Sequence, residues 1–159
     1  MPALCAVTAP SVISYMRLTP NRWAPTIANI AVQDRAASLR ICPTFGGSGE
    51  DPARQFNMEY RPADAAASPY LALGAVVQAG CEGIEKSLRV PAPEEAERAA
   101  KPLPRSLGAA LELLEATPEA KRWFGETLLD AYVKHKRSEI AVVEKLTPAE
   151  LCQRYAQLY

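Results

Sequence analysis

RQFNMEYRPADAAASPYLALGAVVQAG, residues 54–80, changes its period halfway along. From Gln55 to Arg61 polar and apolar side chains alternate. In an extended chain Phe56, Met58 and Tyr60 share one face, and Asn57, Glu59 and Arg61 share the other. The following residues are small and apolar, and Ser68-Pro69 offers an N-cap and a first-turn proline, which predicts a helix through about Ile84. A strand packed on one side and chemically dressed on the other therefore runs almost directly into a helix.

Upstream, the signals are those of strands and turns. TIANIAVQ (26–33) is mostly β-branched or small and predicts one strand. SLRIC (38–42) alternates, with Leu39 and Ile41 opposite Arg40. The intervening DRAA is short enough to suggest a hairpin. TFGGSGEDP (44–52) reads as a surface loop, since it matches neither GxxxxGK[ST] nor GxGxxG. MPALCAVTAPSVI reads as the end of a helix stopped by Pro10, and it lacks the basic start of a signal peptide.

Downstream, the pattern is helical. Leu107, Ala110, Leu111 and Leu114 have helix spacing, and Pro118 opens a short segment ending near Gly125. From Glu126 to Lys145, Leu129, Tyr132, Val133, Ile140 and Val143 form an apolar stripe. Thr147-Pro148-Ala149-Glu150 is a capping box that opens a last helix. PAPEEAERAAKPLP (91–104) reads as a polar connector. Strands followed by helices predict an α+β fold, an antiparallel sheet with the C-terminal helices on one face.

Composition narrows the function. The formal net charge of zero leaves no global field for nucleic acid or an anionic membrane, and no stretch is long and apolar enough to span one. The distribution of charge is uneven. Residues 1–62 carry six arginines (Arg17, Arg22, Arg35, Arg40, Arg54 and Arg61) and no lysine. Arginine is favoured over lysine where a planar fork must hold carboxylate or phosphate, so this segment hints at anion binding, although surface ion pairs would give the same count. Cys5, Cys42, Cys81 and Cys152 lack metal or disulfide spacing and read as buried free thiols of a cytoplasmic protein.

Several ordered motifs together resemble one family. SYMRLTPNRWAP (14–25), DRAASLRI (34–41), the spaced Glu59-x-Arg61-x-x-Asp64 and SPYLALGAVVQAG (68–80) are similar to the C-terminal part of the glutamine synthetase catalytic domain. There the pattern runs roughly NSYKRL-x-PG-x-x-AP, NRSA-x-x-RIP and E-x-R-x-x-D-x-x-x-NPYL. Leu103-Pro104-x-Ser106-Leu107 and the terminal Thr147-Pro148-x-Glu150 with Tyr155 follow it as well.

The resemblance implies an ATP-dependent ligase of nitrogen metabolism and glutamine biosynthesis. Glutamate is phosphorylated on its γ-carboxylate, and ammonia or an amine then displaces phosphate. By position, Arg17 matches the arginine that holds the substrate α-carboxylate. Arg35 matches the one facing the transferring phosphoryl group, and Arg40 an ATP-phosphate contact. Glu59 matches a ligand of Mg²⁺ (or Mn²⁺), and Arg61 an arginine beside the acyl-phosphate. Phosphoryl transfer is catalysed mainly by positioning and charge neutralisation, which suits these residue types.

Departures from the pattern also matter. Ile13, Met16 and Asp34 replace family Asn, Lys and Asn, and Asn57 stands where an ATP-contacting arginine is usual. Trp23 occupies a position where ammonia-using members often carry Glu, which is similar to branches that act on amines, the γ-glutamyl-amine or polyamine ligases. The resemblance also implies that residues 1–159 are a C-terminal portion. The N-terminal β-grasp domain, the first half of the catalytic domain and their metal-binding carboxylates are missing, and His135, the single histidine, reads as a surface residue. A fragment inactive alone is the expectation. The alternative is a non-catalytic remnant that associates with a full-length relative, in a family whose sites form between subunits of a homo-oligomer. Half a domain should also expose sheet edges and apolar surface.

Overall fold

The computed structural model describes residues 1–47, 49 and 51–158, and of Pro93 the backbone alone. Ser48 and Glu50 of the glycine-rich segment lie outside the described residues, as does Tyr159.

The core is built around the N-terminus. A 3₁₀ turn, Pro2–Leu4, leads into α1 (Cys5–Thr8), and every side chain from Leu4 to Thr8 is buried. Such a run, apolar on all sides, must be surrounded. Helices α4 (Pro69–Glu85), α6 (Leu107–Glu115) and α8 (Glu126–Val143) contribute to the same core cluster, which includes Ala75, Leu107, Ala110, Leu111, Leu114, Leu129 and Val133. A helix of one turn leaves its last carbonyls without intrahelical partners, although the Cys5 carbonyl accepts from the Ala9 amide at 2.8 Å. Two tyrosines supply donors: Tyr15 Oη reaches the Cys5 carbonyl at 3.3 Å, and Tyr132 Oη reaches that of Ala6 at 2.6 Å. Burial raises both phenols above their ordinary pKa and pushes the Cys5 thiol up to about 11, so all three stay neutral.

The helices follow their sequence signals closely. Ser68 precedes α4 with Pro69 in the first turn, although its side chain makes no capping bond. Helix α7 (Pro118–Phe124) ends at Gly125, which takes φ +74°, a conformation costly for any residue with a Cβ. Helix α9 (Pro148–Tyr155) is opened by the capping box. Thr147 Oγ1 accepts from the Glu150 amide, and Glu150 Oε2 accepts from the Thr147 amide at 2.8 Å. Thr147→Ala is therefore expected to cost about 1 kcal/mol, a fall in Tm of about 3 °C by thermal denaturation.

The β elements depart from expectation in detail while the α+β class stands. The stretch 26–33 forms two strands, β1 (Ile27–Ala28) and β2 (Ile30–Val32), divided at Asn29. They join different sheets. Two four-residue helices bracket this region in the chain, α2 (Ser14–Arg17) before β1 and α3 (Pro52–Gln55) after β3 (Leu39–Ile41). Strand β4 (Met58–Tyr60) pairs antiparallel with β3, and β5 (Lys101–Pro102) pairs antiparallel with β1.

Strands β2 and β3 run parallel, so the expected hairpin at 34–37 is corrected. Parallel strands normally need a long crossover, but three-residue strands require the chain to return only about 10 Å. Gln33 turns out of β2 with φ +61°, and Asn29 Oδ1 accepts from the Ser38 amide while Ser38 Oγ donates to the Ile27 carbonyl. Those two side chains pin the returning segment beside the start of β2.

The connector 91–104 also holds structure, namely α5 (Pro93–Arg98), which packs on β2, and β5. Cys5 and Cys42 are buried as expected, but Cys81 and Cys152 are exposed. Of the apolar face Phe56-Met58-Tyr60, only Tyr60 reaches the core, where its hydroxyl shares a hydrogen bond with Thr8 Oγ1. Phe56 and Met58 stay exposed because nothing among the described residues covers that side of β4. Helix α4 likewise shows Tyr70, Leu73, Val77 and Ile84 to the surface.

Candidate functional site

The polar face of the three-stranded sheet gathers its charges through register. Arg40 on β3 lies directly opposite Glu59 on β4, and Arg61 follows two residues after Glu59 on the same side. Arg40 Nη2 meets Glu59 Oε1 at 2.6 Å, and Arg61 Nη1 meets Glu59 Oε2 at 2.9 Å. One guanidinium holds each carboxylate oxygen. The hydrogen bond from Arg40, then that from Arg61, holds the Glu59 carboxyl below the ordinary carboxylate value, so it is ionised at neutral pH.

Arg61 extends the network further. Its Nε donates to the Arg35 carbonyl at 3.0 Å, and its Nη2 donates to the Trp23 carbonyl at 3.1 Å. Arg17, from α2, turns Nη2 onto the carbonyls of Pro62 and Ala63 at 2.6 and 3.0 Å, fixing the chain just after Arg61. The Arg35 guanidinium is exposed and has no hydrogen bond or ion pair among the described residues. Trp23 is 76% exposed. Asn57, also expected on this face, instead donates its amide to the Gln55 carbonyl.

Hydrogen bonds thus connect Arg35, Arg40, Glu59 and Arg61, while Arg17 holds the two residues that follow Arg61. Arg40, Glu59 and Arg61 form direct ion pairs, and Arg35 joins through its backbone. Two guanidiniums against one carboxylate leave an excess of positive charge, which favours an anion with several oxygens. The open depressions of about 370 Å³ between α8 and α9, and about 550 Å³ beside β1 and β5, are lined by other residues. His135 is exposed at the first of these.

A divalent cation does not fit the residues present. Both Glu59 oxygens are engaged by guanidiniums, and among the described residues no group of three His, Cys, Asp or Glu side chains could hold a metal. Among the described residues no helix is long and apolar enough to cross a membrane.

Sequence reasoning missed two features here. The arginine count did not reveal that Arg17 and Arg61 spend donors on backbone carbonyls, because the acceptors belong to residues 26 to 46 positions away. That the Trp23 carbonyl serves Arg61 was also hidden, though Pro20, Asn21 and Pro25 around it are local turn signals.

Comparison with known proteins gives this geometry a context. The family model described as the catalytic domain of glutamine synthetase matches residues 1–155. A gamma-glutamylpolyamine synthetase of Streptomyces coelicolor, GlnA3, is 33% identical over all of this chain and 36% of its own length. The glutamine synthetase of Pyrococcus furiosus is 37% identical over 82% of this chain and 30% of its own. A crystal structure described as a novel glutamine synthase homolog superposes with a TM-score of 0.88 at 40% identity, over 99% of this chain and 36% of that one. The chain spans about a third of the length of the curated relatives it matches.

Proposed function

We propose that this chain, which belongs to the glutamine synthetase family, forms one wall of an ATP-dependent ligase site and supplies its phosphate-facing arginines. The reaction is transfer of the ATP γ-phosphoryl group to the γ-carboxylate of glutamate. Ammonia or an amine then attacks the acyl-phosphate, releasing phosphate and forming glutamine or a γ-glutamyl-amine. The observation that carries this reading is the Arg40–Glu59–Arg61 clamp, tied through Arg61 to the backbone of the exposed Arg35.

Glu59 holds Arg40 and Arg61 in fixed orientations, so their remaining N–H groups need no reorganisation to meet an anion. Arg35 faces the transferring phosphoryl group and, with Arg61, is a catalytic residue of this set. Arg40 contacts ATP phosphate, Arg61 the acyl-phosphate oxygens, and Arg17 the glutamate α-carboxylate through the N–H groups left after Pro62 and Ala63 are satisfied. Mg²⁺ or Mn²⁺ would need carboxylates from outside the described residues, which alone do not fit a cation. We assign residues 1–159 to the C-terminal portion of the catalytic domain of a cytoplasmic homo-oligomer. A β-grasp domain and the first half of the catalytic domain would be needed beside it.

Trp23 and the likeness to a polyamine-acting relative support an amine as acceptor. The lack of a metal-capable group among the described residues favours a second reading, a non-catalytic remnant that associates with a full-length relative. Phosphate release from ATP, with Mg²⁺, glutamate and either ammonia or a polyamine, separates them. The chain alone is expected to be silent. Joined to the segment that completes the family length, it should release phosphate only when glutamate and an acceptor are both present. Silence of the joined form with every acceptor overturns the ligase reading.

A further inference from the structure

We infer that Arg61, beside the contact proposed above, has a second role of positioning: it fixes two strained loops, those carrying Trp23 and Arg35, against strand β4. The inference rests on the ligase reading only for what those loops face.

Three donors of one guanidinium point to three chain segments. Nη1 is anchored on Glu59, Nε reaches the Arg35 carbonyl and Nη2 the Trp23 carbonyl. Glu59 is itself held from the other side by Arg40, so the anchor is fixed in the sheet. The Arg35 turn is also held by Asp34, which accepts from the Ala36 amide, and by the Gln33 amide on the Ile41 carbonyl, so the Trp23 segment depends on Arg61 the more. Trp23 takes φ +52° and nearby Asn21 φ +64°, and Gln33, two residues before Arg35, takes φ +61°. Left-handed backbone at residues with a Cβ persists only where the surroundings over-determine it. A planar fork with donors in fixed directions can do this for both carbonyls at once, and an ammonium cannot.

The consequence is functional as well as local. The Arg35 and Trp23 backbones are brought to the same guanidinium, so the exposed Arg35 fork and the exposed indole are held in register with each other. Arg35 has no side-chain partner among the described residues, so its guanidinium is located chiefly by where its backbone is held. Loss of Arg61 would leave the Arg35 charge present but unplaced.

The test is backbone ¹⁵N relaxation on this chain, with no ATP or glutamate added. Its failure therefore leaves the ligase reading untouched, and failure of the phosphate-release assay leaves this inference untouched. In Arg61→Gln, order parameters around 21–24 and 34–36 are expected to fall from about 0.85 to below about 0.6, while α6 and α8 keep theirs. Arg61→Lys is expected to restore at most one of the two loops. The inference is overturned if both loops stay rigid in Arg61→Gln, or if rigidity is lost throughout α6 and α8 as well. Full recovery of both loops by lysine overturns it too, since charge without a fork would then suffice.

Discussion

Arg35→Ala is expected to lower ATP-dependent phosphate release by about 10²–10³-fold, the range found when one preorganised charge-stabilising donor is removed from an active site. The measurement belongs in whichever form of the protein turns over, most directly the chain joined to the segment that completes the family length. The stability of the variant is expected to stay within about 0.5 kcal/mol of wild type, because an exposed side chain without partners leaves nothing unpaired when removed. That separation makes Arg35 the cleanest probe of the site. Arg17, Arg40 and Arg61 each satisfy carbonyls or Glu59, so their removal would mix lost chemistry with lost structure. Wild-type turnover in Arg35→Ala would remove Arg35 from the catalytic role, whatever the anion affinity of the other arginines.

The same division of labour explains why one carboxylate sits in a cluster of cations. Without Glu59, Arg40 and Arg61 would repel each other across adjacent strands and would turn toward solvent. With it, each guanidinium is fixed at one corner and retains N–H groups for a second anion. The arrangement costs the cluster one positive charge and gains orientation, which matters more for a transition state whose charge is spread over several oxygens. It also commits both Glu59 oxygens, and that commitment is what argues against a cation bound by these residues alone.

The helices were readable because their determinants are local. Thr147-Pro148-Ala149-Glu150 is a capping box in sequence and in structure, and the Leu107 to Leu114 spacing places all four of its residues in the core. The strand pairings were not, because three-residue strands carry too short a period to report direction. What makes β2 and β3 parallel is a pair of polar side chains, Asn29 and Ser38, holding a six-residue return. The β1–β5 pair joins residues 73 or more apart in sequence inside a segment that reads as polar linker. In the site, alternation put Glu59 and Arg61 on one face and Arg40 on a neighbouring strand, and register made them partners. The backbone acceptors of Arg17 and Arg61 depend on loops closing in three dimensions, and no spacing encodes them.

The strongest buried charge lies outside that site, and it yields the largest expected effect on stability. Glu82, in the apolar helix α4, is only 7% exposed. Trp123 Nε1 donates to its Oε2 at 2.8 Å, Arg122 Nη2 stands 2.6 Å from the same oxygen, and Lys86 Nζ pairs with Oε1. Lys86 also reaches Glu119 at 3.0 Å, so α4 and α7 are joined by a closed network. Glu82→Ala leaves the indole N–H without its acceptor and releases two cations, and a fall in Tm well beyond that of Thr147→Ala is expected. Glu82→Gln keeps the volume but turns an amide NH₂ toward donors, so it should also destabilise, by less.

The pH dependence gives an independent check. The hydrogen bond from Lys86, followed by those from Arg122 and Trp123, lowers the Glu82 carboxyl from an ordinary 4.5 to about 2. A depressed folded-state value means the stabilisation is complete above the ordinary value and is lost as pH falls through about 2. Wild type should therefore lose stability between about pH 4.5 and 2 more steeply than Glu82→Ala, and the two Tm curves should converge toward the acid end. Parallel curves across that window would show that Glu82 does not carry the linkage. Equal Tm values at neutral pH would show that the network does not hold α4 to α7.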